Sequence, residues 1–147
     1  MSTCPADGNS KPRVLVVDDE PIARMSIVMR LSSIGATVVE AEDGASALKE
    51  LLQQPFDAAM IDLEMPGLDG FELIGCIRGH PNLKHLAVIV LSGRDDPTSI
   101  RNALQAGATS YLLKPLNWTA FGEHIRSCIG LREHQRRASL ADRAVAR

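Results

Sequence analysis

The chain has 147 residues, 45% of them hydrophobic but only 3% aromatic, and a formal net charge of −2. That length suits one domain with a sizeable, mostly aliphatic core, and two full domains would be cramped. The near-balanced charge offers no basic field for direct contact with nucleic acid, and no apolar run approaches the ~18 residues needed to span a bilayer.

Cys4, Cys76 and Cys128 are widely spaced and form no CxxC, which fits buried thiols in a reducing, cytoplasmic compartment better than disulfides or zinc. Met1 to Pro12 is rich in Ser, Pro, Gly and Asn, lacks the apolar stretch of a secretory signal, and reads as a disordered tail of residues 1–12. The first strand follows it. Arg13-Val14-Leu15-Val16-Val17 is a continuous apolar run of the kind buried on both faces of a parallel sheet, and it ends on Asp18-Asp19-Glu20. Pro21 suits the first turn of a helix whose apolar face is expected at Ile22, Met25, Met29 and Val28, with Gly35 as its stop.

Ala36 to Ala41 reads as a second strand, and Asp43-Gly44 leads into a helix with Ala47, Leu48, Leu51 and Leu52 on one side. The third strand is Phe56-Asp57-Ala58-Ala59-Met60-Ile61, which delivers Asp62 to a sheet edge just ahead of the breaker Pro66-Gly67. A helix follows with Leu68, Phe71, Leu73, Ile74 and Ile77 as its apolar positions, Asp69-Gly70 marking the turn at its start. Leu86 to Leu91 is a fourth apolar strand ending on Ser92-Gly93, and Asp96-Pro97 opens a helix through Ile100, Ala103 and Leu104 that Gly107 can stop. Thr109 to Leu113 is the fifth strand, delivering Lys114-Pro115, and Asn117 can cap a last helix with Phe121, Ile125, Cys128 and Ile129 inward.

Five strands without an in–out polar pattern, alternating with five helices, predict an α/β fold: a doubly wound parallel sheet covered by helices on both faces. Right-handed crossovers then bring the C-terminal strand ends to one edge, where open α/β sheets bind ligands. Asp18, Asp19, Asp62, Ser92 and Lys114 all fall there. Like charges about 4 Å apart cost on the order of 4 kcal/mol at an effective dielectric of about 20, so the carboxylates need a counter-charge. Mg²⁺, a hard cation that takes one or two carboxylates plus phosphate oxygens, suits the set, and a lysine ammonium does part of the same work. With Asp62 as nucleophile toward a phosphoryl group, Lys114 and the Ser92 hydroxyl would face its oxygens, and Gly93 would leave room for close backbone approach.

Four motifs, Val16-Val17-Asp18-Asp19-Glu20, Asp62 to Gly70, Ser92-Gly93-Arg94 and Tyr111 to Pro115, together resemble the receiver domain of two-component response regulators over residues 13–130. The resemblance implies the flavodoxin-like strand order 2-1-3-4-5 of chemotaxis receivers. It implies Asp62 as the phosphoacceptor, fed by a partner phosphohistidine on a histidine kinase or histidine phosphotransfer protein. It implies Asp19 as a direct Mg²⁺ ligand, Asp18 as its water-bridged companion and the Glu64 backbone carbonyl as a third protein ligand. Lys114 matches the phosphate-pairing lysine, with a cis peptide to Pro115, and Ser92 and Tyr111 match a switch pair that a downstream protein partner would read. The domain would be a signalling switch and not an enzyme, apart from its own phosphoryl transfer and autodephosphorylation.

Two side chains are expected to set individual behaviour: Glu64 and Arg94, paired across the mouth of the site, would tune access and phosphoryl lifetime. His80, His85, His124 and His134 lack metal-ligand spacing and read as surface histidines. Trp118 is either an interface anchor or local packing. Residues 131–147, with five arginines and much alanine, read as a charged extension or linker, with a homodimer through the last helices as the other possibility. Two rival functions are a binding module that never needs phosphate and an Mg²⁺-dependent phosphohydrolase with an aspartyl nucleophile. The second lacks the expected Asp-x-Asp, since Glu64 stands at that position, and has no cap-sized insertion.

Overall fold

The apolar runs form five parallel strands in the order β2-β1-β3-β4-β5. In chain order the elements are β1 (Arg13–Val17), α1 (Pro21–Ser33), β2 (Thr37–Ala41), α2 (Gly44–Gln53), β3 (Ala58–Asp62), α3 (Gly70–Gly79), β4 (Ala87–Ser92), α4 (Pro97–Ala106), β5 (Ser110–Leu113) and α5 (Trp118–Val145). This computed structural model describes residues 11–65 and 70–145. The expected turn at Pro66-Gly67, the helix position Leu68, the start at Asp69, the thiol of Cys4 and most of the N-terminal tail lie outside the described residues.

Alternate residues of each strand enter two separate cores because successive side chains point to opposite faces. Leu15, Val17, Ala59, Ile61, Val88 and Val90 pack with Leu51 of α2, Leu73, Ile74 and Ile77 of α3 and Ala103 of α4. Val14, Val16, Met60, Ile89 and Leu91 pack on the other face with Ile27 and Leu31 of α1 and Phe121, Ile125 and Cys128 of α5. The central strands β1, β3 and β4 are buried on both faces, so they carry no polar alternation.

Helix ends follow local chemistry. Asp43 and Asp96 accept from the amides of Ser46 and Ser99 at the starts of α2 and α4, and Asn117 accepts from Thr119 at the start of α5. Gly35, at φ +92°, follows the end of α1 in the left-handed conformation that glycine adopts without strain.

The inward face of α1 differs from the expected one. Ile22, Met25 and Met29 are 74%, 59% and 66% exposed, whereas Ile27 and Leu31 are buried. Apolar residues occur nearly all round this helix, so its sequence does not choose a rotation. Tertiary ties do: Arg24 donates to the Asp18 carbonyl at 2.6 Å and pairs with Glu40 of β2 at 2.8 Å, turning its own side of the helix toward the sheet. Leu52 and Leu104, expected inward, are also exposed. Cys76 is exposed too, contrary to the expectation of buried thiols, while Cys128 is buried.

Trp118 packs locally, meeting Phe121 edge-on at 5.1 Å and lying 5.2 Å under the Arg30 guanidinium of α1. The backbone of the charged extension continues α5 without a break to Val145. No helix among the described residues is long and apolar enough to cross a membrane.

Candidate functional site

Parallel register brings the C-terminal ends of β1, β3, β4 and β5 side by side, with Asp62 beside Leu91 and Ser92 beside Leu113. Asp18 lies one residue beyond β1 and Lys114 one residue beyond β5, whose amide donates to the Ser92 carbonyl at 2.9 Å. The sequence-predicted cluster therefore assembles at one edge. Asp18, Asp62 and Ser92 are buried, and Asp19 is exposed beside them.

Asp18 and Asp62 are held in the same way. Asp18 Oδ1 accepts from the Glu20 amide at 2.9 Å, and Asp62 Oδ1 accepts from the Glu64 amide at 3.1 Å, two residues on in each case. Each turn uses one carboxylate oxygen for structure and leaves the other for chemistry. Both Oδ2 atoms face Lys114 Nζ, at 3.3 Å from Asp62 and 4.0 Å from Asp18.

One ammonium against three carboxylates leaves the edge electronegative. The acid oxygens of Asp18, Asp19 and Asp62 lie within 4.8 Å of one another, and the buried Oδ2 of Asp18 has no hydrogen-bond partner. Such an orphaned buried anion is costly unless a cation completes it. Burial pushes Asp62 up to about 6, against the opposing pull of the Glu64 amide and the Lys114 charge, with Asp18 adding to the rise.

The remaining predicted residues lie on the β3–α3 and β4–α4 loops and on β5. Ser92 Oγ donates to Glu64 Oε2 at 2.7 Å and accepts from the Arg94 amide at 3.0 Å, and the Gly93 amide donates to Glu64 Oε1 at 3.3 Å. The Tyr111 hydroxyl donates to the Arg94 carbonyl at 2.8 Å. No ion pair joins Glu64 to Arg94 among the described residues, so the expected partnership across the mouth is replaced by one between Glu64 and Ser92. The space beside Gly93 is open, since an added Cβ there would meet nothing within 4 Å. The Lys114–Pro115 peptide is cis.

His124 is half-buried, and its Nε2 pairs with Ser110 Oγ at 2.6 Å between β5 and α5. The sequence reading missed the exposed face of α1, which begins three residues past Asp19. Its only signal is the apolar surplus around that helix.

A family model described as the response regulator receiver domain matches residues 14–126. The chain belongs to the response regulator receiver domain family. Its receiver is 39% identical over 102 residues to a gliding motility regulatory protein of Myxococcus xanthus, covering 69% of this chain and 13% of that one. It is 35% identical over 114 residues to the chemotaxis protein CheY of Pseudomonas aeruginosa, covering 77% and 92%. The chain thus spans a small part of the first relative and nearly all of the second. Among solved structures, the receiver domain of the sensor histidine kinase PA1611 of Pseudomonas aeruginosa, with a magnesium ion coordinated in its active-site cleft, superposes with a TM-score of 0.76. That receiver is 30% identical, the match covering 82% of this chain and 99% of that one. Receivers are signalling modules of two-component systems, and the flavodoxin-like fold seen here matches theirs.

Proposed function

We propose that Asp62 accepts a phosphoryl group from a phosphohistidine of a histidine kinase or histidine phosphotransfer protein, and that this switches the Ser92–Tyr111 face for a downstream protein partner in the cytoplasm. The observation that carries the reading is the paired geometry of Asp18 and Asp62, each with Oδ1 fixed by its own loop and Oδ2 turned toward Lys114. In the transfer, a carboxylate oxygen of Asp62 forms a bond to phosphorus while the phosphorus–nitrogen bond of the donor breaks. The imidazole leaves with the electron pair and takes a proton from solvent. Lys114 sits within reach of the new phosphoryl oxygens and balances their charge.

Asp18 and Asp19, with the Glu64 backbone carbonyl, would hold Mg²⁺, which when bound supplies charge neutralisation for the phosphoryl oxygens. The orphaned Oδ2 of Asp18 supports that fit. Intact-mass spectrometry after incubation with acetyl phosphate tests the reading. Wild type is expected to gain one phosphoryl group only with Mg²⁺ present, and Asp62→Asn none. Equal gain by Asp62→Asn, or gain by wild type without a divalent cation, would overturn it.

A donor protein must cover the rim of the site, and the exposed face of α1 adjoins it. Ile22, Met25 and Met29 fall on one side of the helix by their spacing, and Met side chains adapt to a partner's apolar surface. This face offers the donor an apolar surface beside the site. Met25→Ser combined with Met29→Ser is expected to slow transfer from the donor protein about tenfold, the effect of losing apolar anchors of this kind. Labelling by acetyl phosphate should stay unchanged. Equal slowing with both donors would place the defect in the site and not in docking.

A further inference from the structure

Ser92 is fully buried, and its hydroxyl carries a single proton. That proton is committed to Glu64 Oε2 at 2.7 Å, and the neighbouring Gly93 amide is committed to Glu64 Oε1 at 3.3 Å. The Glu64 side chain is otherwise exposed, and it is tethered at its base by the bond from its own amide to Asp62. An anion therefore already occupies the hydroxyl at the end of β4 and the amide that follows it, on the strand next to the one that carries Asp62.

We propose that the Glu64 carboxylate is a built-in competitor of the phosphoryl group, which must take the Ser92 hydroxyl and the Gly93 amide away from it. This rests on the phosphoacceptor reading of Asp62 and states how that site is regulated. In the unmodified protein a chain of bonds runs from Asp62 through the Glu64 residue and Ser92 to Arg94, and the Arg94 carbonyl receives the Tyr111 hydroxyl. Exchange of one anion for the other re-aims Ser92, the centre of that chain. Glu64 then swings to solvent, since a second negative group beside the phosphoryl is repelled. The device sets a threshold: the incoming group must out-compete a tethered carboxylate before the switch responds.

Simple charge repulsion by Glu64 would also hinder an incoming anion, so the test must separate the two. Isothermal titration with beryllofluoride at saturating Mg²⁺ does so across wild type, Glu64→Ala, Ser92→Ala and the double variant. Competition predicts that Glu64→Ala tightens binding about tenfold when Ser92 is present, the scale of one charge-assisted hydrogen bond, and only about twofold when position 92 is alanine. Equal gains in both backgrounds, or no gain, would overturn it.

A second readout needs no phosphoryl mimic. In the free protein the Gly93 amide NMR resonance is expected to move upfield in Glu64→Ala and less in Glu64→Gln, which keeps an acceptor. An unmoved resonance would refute the contact. Failure of wild type to bind beryllofluoride would instead refute the phosphoacceptor reading, and with it the competition.

Discussion

Asp62→Asn is expected to make the folded domain more stable at neutral pH, although it removes the group around which the site is built. In the absence of divalent cation, the acid oxygens of Asp18, Asp19 and Asp62 are crowded within 4.8 Å, and one lysine serves Asp18 and Asp62. Burial is the main cause that pushes Asp62 up to about 6 from the ordinary value of 3.8. Between those two values the folded protein holds a proton that the unfolded chain has released. The stability linked to this group is therefore present below about 3.8, falls as pH rises through the window, and stays lower at neutral pH.

The full shift would correspond to about 3 kcal/mol at 1.36 kcal/mol per unit, and relaxation of the Lys114 side chain reduces it to about 1–2 kcal/mol. Asparagine keeps the shape and can still accept from the Glu64 amide. Urea unfolding of both proteins in EDTA should show the variant more stable at pH ~7.5, with the gap closing toward pH ~4. A wild type more stable than the variant at neutral pH would mean that the lysine outweighs the carboxylate repulsion.

Gly70→Ala is expected to destabilise the domain by about 2–4 kcal/mol, against the helix propensity that favours alanine. A Cβ there would lie 2.8 Å from the Leu63 Cα and 3.1 Å from the Asp62 carbonyl oxygen. Both are backbone atoms at the end of β3 and cannot rotate aside. Either α3 lifts off its buried face, where Leu73, Ile74 and Ile77 are fully buried, or the strand end that carries Asp62 shifts. The second route would also slow phosphoryl uptake, since displacement by about 1 Å can cost on the order of a hundredfold in rate.

Gly75→Ala is the control on the same helix. An added Cβ meets nothing within 4 Å at that position, so propensity alone acts and the variant should gain about 0.5–1 kcal/mol. Thermal or chemical unfolding of the two variants reads both signs in one series. A neutral Gly70→Ala would mean that the contact between α3 and the end of β3 is looser than the structure shows.

The sequence alone was enough for the order of elements, the sheet class and the set of residues at its functional edge. Strands buried on both faces must read as unbroken apolar runs, and right-handed crossovers leave their C-terminal ends together, so the sequence itself places Asp18, Asp62, Ser92 and Lys114 at one edge. Helix starts at Asp43 and Asp96 were equally legible, because a cap is a contact between residues three apart. What only the tertiary structure decided are the contacts between distant segments. The rotation of α1 depends on Arg24 reaching the Asp18 carbonyl and Glu40, and the apolar surplus around that helix fits several rotations equally well. The partner of Glu64 depends on how two loops from different strands approach: Arg94 is the obvious match by charge, yet the Ser92 hydroxyl and Gly93 amide lie within hydrogen-bond distance. Spacing along the chain carries local geometry, whereas distances between loops arise only when the whole sheet has closed.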